Sequence, residues 1–89
     1  MASMDIELKP LSEGPVYLQV RMQIEARIRN RQLSTGASLP APAALAQQLG
    51  VDKGEIQRAY FELEHSGLVT RTTSKGFLGG KDVIKYLVK

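Results

Sequence analysis

The tetrapeptide Leu49-Gly50-Val51-Asp52 separates two stretches whose apolar residues recur at helical intervals. Upstream, Leu45 and Leu49 lie four apart behind Pro40 and Pro42, residues that open a helix readily and continue one badly. Downstream, Ile56, Ala59, Tyr60 and Leu63 form one stripe, so a helix is predicted from about Lys53 to Ser66. Gly50 can adopt the left-handed conformation that closes the first helix. Asp52 can accept a backbone N–H of the second, with Glu55 three residues on as in a capping box. Two helices joined by so short a turn have few ways to pack.

The remaining segments fit around this pair. Eighty-nine residues are too few for two independent cores, so one small domain is expected, without room for a second, ligand-sensing one. Tyr17, Val20, Ile24 and Ile28 recur at steps of three and four, which predicts a first helix from Tyr17 to about Arg31. Arg27, Arg29 and Arg31 near its end suit the negative pole of the helix dipole and read as a solvated rim. Leu33 to Pro40 collects Ser, Thr, Gly and Pro and reads as a turn between helices.

After Gly67, Leu68–Arg71 and Phe77-Leu78 bracket the polar stretch Thr72–Gly76, the pattern of two short strands and a turn. In the tail KDVIKYLVK, Val83, Ile84, Leu87 and Val88 fall at helical intervals, and a helix is favoured although Val, Ile and Tyr also suit a strand. The chain thus divides into an N-terminal arm (1–14), mobile or a short pairing strand; a domain (15–80); and a C-terminal segment (81–89), a candidate dimerisation helix. The expected fold class is mainly α with a small β-hairpin: a winged helix-turn-helix, with a three-helix core plus a wing.

Several functions are excluded. With no cysteine there are no disulfides, thiolate metal sites or thiol catalysis. His65 is the only histidine, so a metal cluster or a His-based relay has no support, and no catalytic residue, metal or cofactor is expected. Gly79-Gly80 lacks the Lys-Ser/Thr and helix context of a phosphate cradle. No apolar run approaches the roughly 18–20 residues of a membrane span, and MASMDIELKP lacks the basic and apolar regions of a signal peptide. A cytoplasmic, non-enzymatic protein is expected. The formal charge of +3 permits a polyanionic partner without demanding one.

PVYLQV at the start of the first helix, Ile28 and Leu33 leading into TGASLP, LAQQLGV across the turn, IQRAYFELEHSGLV through the third helix and SKGFL in the wing occur here in one order. Taken together, these residues resemble the N-terminal domain of the GntR (gluconate-repressor-like) family, especially its branch with short effector regions, over roughly Pro15 to Leu78. The resemblance implies a homodimer whose reading helices take half-sites of a near-palindromic operator in double-stranded DNA, usually to repress transcription.

Residues expected to hold DNA are Lys53, Gly54, Gln57 and Arg58 on the third helix and Arg71, Lys75 and Gly76 in the wing. Gln can pair with the major-groove edge of adenine, and Arg with guanine or phosphate. Arg71 and Lys75 suit the flanking backbone or minor groove. The chain also departs from the family pattern. Ala41, Pro42, Ala43 and Ala44 stand where Ser and Arg are usual, and Asp52-Lys53-Gly54-Glu55 replaces Ser-Arg-Asn/Thr-Thr. Ser74 stands for a usual Gly, and the usual Thr before the wing's aromatic residue is missing. Between Asp52 and His65 two cations face four anions, a local charge of −2 with His65 neutral, where phosphate neutralisation normally supplies affinity. The alternative is a winged-helix module that has lost DNA binding and binds a protein partner through Phe61 and the outer face of the third helix.

Overall fold

The computed structural model describes residues 6–74 and 83–89. In chain order these form a short 3-10 turn (Leu11–Glu13), α1 (Val16–Arg29), α2 (Pro42–Leu49), α3 (Lys53–His65), β1 (Val69–Ser74) and β2 (Val83–Val88). Pro42 occupies the first turn of α2, where its missing N–H costs nothing. Gly50 ends that helix at φ 69°, a left-handed backbone that a side chain would strain. Between Arg29 and Pro42, Arg31 takes a φ of 62° just beyond the end of α1 and turns the chain back.

The three helices meet on the predicted stripes. Val20 and Ile24 of α1, Leu45 of α2, and Ile56, Ala59, Tyr60 and Leu63 of α3 are all fully buried, with Tyr17, Ile28 and Leu49 packed at the margin. Excluding Ile24, Leu45, Ile56 and Leu63 from water contributes about 1.5–3 kcal/mol each relative to exposure. Tyr60 is the largest fully buried side chain. Its hydroxyl donates to the Pro40 carbonyl at 2.8 Å, and its ring meets Tyr86 edge-on at 4.9 Å between centroids. One residue therefore fastens α3 to the entry of α2 and to β2.

The C-terminal segment corrects an expectation. Residues 83–88 are not a helix but strand β2, antiparallel to β1 in the register Val69↔Val88 through Ser74↔Val83. The helical spacing of Val83, Ile84, Leu87 and Val88 was outweighed by the β-branched character of Val83, Ile84 and Val88 and by the open edge of β1. Residues 36–39, expected as a plain turn, flank the other edge of β2. There Gly36 N–H donates to Val88 O at 2.7 Å, Leu39 N–H to Tyr86 O at 2.8 Å, and Val88 N–H to Ala37 O at 2.8 Å. Phe77-Leu78, expected as the second wing strand, lies outside the described residues.

The described part of the N-terminal arm forms no strand; it lies against α1. Ile6 is buried in the core. The side-chain amide of Gln23 accepts from Glu7 N–H at 3.0 Å and donates to Glu7 O at 2.7 Å, imitating a strand partner. One turn earlier, Gln19 accepts from Lys9 N–H at 2.7 Å and donates to Gly14 O at 2.7 Å and Lys9 O at 3.1 Å. Such local polar pairing satisfies an extended backbone that has no neighbouring strand.

Candidate nucleic-acid interface

Burial of Ile56, Ala59, Tyr60 and Leu63 fixes the rotation of α3, and the remaining faces follow from that. Lys53, Gly54, Gln57, Arg58 and Phe61 are all exposed, as their spacing predicts. Gly54 and Phe61, seven residues apart, run along the centre of the outward face, and the Phe61 ring meets His65 edge-on at 4.8 Å. Arg71 is exposed on β1 opposite Tyr86, on the sheet face that turns toward α3. The helix thus brings Lys53, Gly54, Gln57 and Arg58 onto its exposed side, and Arg71 of β1 reaches Glu64 nearer the end of the same helix. Lys75 and Gly76 lie outside the described residues.

The acidic residues of α3 are arranged differently from their expected roles. Asp52 makes no side-chain cap, so the capping box with Glu55 does not form. Glu55 instead accepts the backbone N–H of Tyr17 at 3.1 Å, in the first turn of α1. A carboxylate there meets the positive pole of α1 and one of its otherwise unpaired donors. Glu62 Oε1 lies 3.1 Å from Arg21 Nε and Glu62 Oε2 lies 3.7 Å from Arg58 Nε, while Glu64 lies 3.7 Å from Arg71. Three of the four anions counted in the sequence are therefore turned toward partners within the domain. The local charge of −2 does not stand as a bare acidic face.

The cations are engaged as well. Arg21 also pairs with Glu25 at 3.1 Å, and Glu25 pairs with Arg29 at 2.9 Å, which gives an alternating series along α1 that crosses to α3 at Glu62. The guanidinium carbon of Arg58 sits 3.8 Å above the centre of the Tyr17 ring. Arg58 keeps 59% of its side chain exposed, so the stacking and the Glu62 contact hold it without covering it. From the sequence, Tyr17 reads only as part of the apolar stripe of the first helix and Glu62 only as one of four anions. Arg58 and Glu62 at i and i+4 carried a readable signal. Tyr17 carried none, because only the packing of α1 on α3 brings it to Arg58.

The comparisons with known proteins agree with this geometry. The profile of the bacterial regulatory proteins, gntR family, matches residues 16–78. The chain belongs to the GntR family. GntR-type relatives include YhcF, an HTH-type transcriptional regulator of Bacillus subtilis, 37% identical over 65 residues that make up 73% of this chain and 54% of YhcF. The HTH-type transcriptional repressor NagR of the same organism is 29% identical over 70% of this chain and 26% of its own length. The chain thus spans about half of YhcF and a quarter of NagR.

Among solved GntR-like structures, YtrA from Sulfolobus acidocaldarius, a GntR-family transcription factor, superposes with a TM-score of 0.75 at 28% identity, covering 94% of this chain and 79% of YtrA. AraR(DBD), solved in complex with operator ORX1, superposes with a TM-score of 0.66 at 28% identity over 93% of this chain and 92% of that one. The GntR match runs from α1 through β1 and stops before β2, the strand whose Val88 closes the core. No described helix is long and apolar enough to cross a membrane. Among the described residues no three His, Asp or Glu side chains gather as a metal site would require.

Proposed function

We propose that this chain reads double-stranded DNA as the head of a GntR-type transcription regulator, entering the major groove with the first two turns of α3. The observation that carries the reading is the exposed surface formed by Lys53, Gly54, Gln57 and Arg58 on a helix whose opposite face is locked in the core. Lys53 and Arg58 take phosphate, Gln57 takes a base edge, and Arg71 with Lys75 and Gly76 takes flanking backbone. The solved complex of the AraR domain with its operator supports the same use of the fold. A single short helix buries too little surface for useful specificity, so the working unit is a homodimer on two half-sites. Repression is the direction proposed, in line with the repressor NagR, and the site of action is the cytoplasm.

Fluorescence-polarisation titration of selected and random duplexes at two salt concentrations tests the reading. The expected result is tighter binding to the selected duplex and a steep loss of affinity as salt rises. Absence of binding, or binding indifferent to salt, would overturn it.

One observation favours a second reading. Phe61 is 57% exposed at the centre of the outward face of α3. A large exposed aromatic at such a place suits a protein partner. If that is its use, Phe61→Asp abolishes a protein complex while leaving folding intact.

A further inference from the structure

Arg58 reaches the exposed surface from the rim of the α1–α3 interface, where Tyr17 of α1 makes two contacts with α3. The Tyr17 ring lies under the guanidinium at 3.8 Å. The backbone N–H of the same residue is tied to Glu55 at 3.1 Å, one turn before Arg58 on α3. From the other side Glu62 approaches only the Nε edge, at 3.7 Å. A planar cation stacked on one face and still 59% exposed remains open to a phosphate or the O6/N7 edge of guanine, which its fork of donors can match. An unrestrained arginine loses rotamer freedom on binding, and one already stacked has lost part of it beforehand.

We infer that Tyr17 is a positioning residue for DNA recognition: its ring is a platform that presets Arg58 for bidentate contact, and Glu55 anchors that platform. The inference rests on the DNA-reading function proposed above and adds a residue from outside the helix-turn-helix to it. Tyr17 itself does not touch DNA in this arrangement; it acts through Arg58. Because the platform belongs to α1 and the arginine to α3, the fork is correctly aimed only when the two helices are docked. Recognition is thereby tied to the folded domain rather than to α3 alone.

The experiment combines a double-mutant cycle with a DNA-free measurement on the full chain. Tyr17→Leu is expected to weaken binding to a selected duplex about two- to five-fold, the ratio that about 0.5–1 kcal/mol of cation–π stacking gives at 1.4 kcal/mol per tenfold. Tyr17→Phe keeps the ring and is expected to keep the affinity. In an Arg58→Ala background, Tyr17→Leu is expected to have no further effect, whereas a merely structural role would weaken both backgrounds alike. Without DNA, the Arg58 side-chain protons are expected to show an upfield ring-current shift that Tyr17→Leu abolishes and Tyr17→Phe retains.

Equal affinity of Tyr17→Leu and the parent, or an undiminished effect in the Arg58→Ala background, overturns the platform. A parent chain that shows the ring-current shift but binds no duplex overturns the DNA reading, and with it the use assigned to the platform. A parent that binds DNA without the shift overturns the platform alone.

Discussion

The Glu55 carboxylate on α3 accepts the backbone N–H of Tyr17 on α1 at 3.1 Å, across 38 residues of sequence. Tyr17 stands in the first turn of α1, where helical N–H groups have no partner within the helix, and Pro15 before it offers no side-chain cap. The carboxylate supplies both the acceptor and the negative charge that this helix end favours. A residue that in the sequence adds negative charge to α3 therefore ties two helices together.

Removing that tie costs stability. Glu55→Ala is expected to destabilise the domain by about 0.5–2 kcal/mol, the range for loss of an N-terminal cap. Glu55→Gln keeps an acceptor oxygen and should lose less. Urea unfolding of the three proteins measures this, and equal midpoints for Glu55→Ala and the parent would show that the hydrogen bond contributes nothing.

Tyr60 makes stability depend on alkaline pH. Burial first, and then the neighbouring Tyr86, raise the Tyr60 phenol above the ordinary value of 10.0. The folded state therefore holds the proton more tightly than the unfolded chain does. The stabilisation is fully present below about pH 10 and declines as pH climbs above it, toward the raised native value. Tyr60→Phe should remove this part of the alkaline decline. At neutral pH the same change should cost about 0.5–1.5 kcal/mol, because the Pro40 carbonyl loses its donor. Thermal melts of both proteins between pH 7 and 11 provide the comparison, and parallel curves would refute the assignment.

Gln19 holds the N-terminal arm. With Lys9 N–H, Lys9 O and Gly14 O all bound to one amide, Gln19→Leu is expected to free the arm around Lys9 and Pro10 while Glu7 stays on Gln23 and α1 stays intact. Loss of those bonds should cost on the order of 1–3 kcal/mol locally. Hydrogen exchange reads it directly: the Lys9 amide should lose protection while those of Ile24 and Tyr60 keep theirs.

On DNA, the exposed residues of α3 should separate by role. Lys53→Ala is expected to weaken all duplexes alike and to lower the salt slope by about 0.9, the signature of one lost phosphate contact. Gln57→Ala should instead cost about 1–3 kcal/mol on the selected duplex alone and relax preference at one base position. Titrations against selected and random duplexes distinguish the two patterns, and identical behaviour of both variants would contradict the division of labour.

Much of this protein was fixed by its residues in order. The stripes Val20–Ile24 and Ile56–Ala59–Tyr60–Leu63, the proline start of α2 and the glycine that ends it set three helices and their inward faces, because helical periodicity and backbone restrictions act over a few residues. The outward placement of Lys53, Gln57 and Arg58 follows from the same periodicity. What tertiary structure alone decided are the choices with two locally acceptable answers. Residues 83–88 could be helix or strand, and the edge of β1 made them strand. Glu55 could cap its own helix or another, and the crossing of α1 over α3 gave it Tyr17. Arg58 could wave in solvent or stack, and the same crossing put a ring beneath it. Such contacts join positions far apart in the chain, and short-range pattern carries no information about which distant surface will arrive to compete.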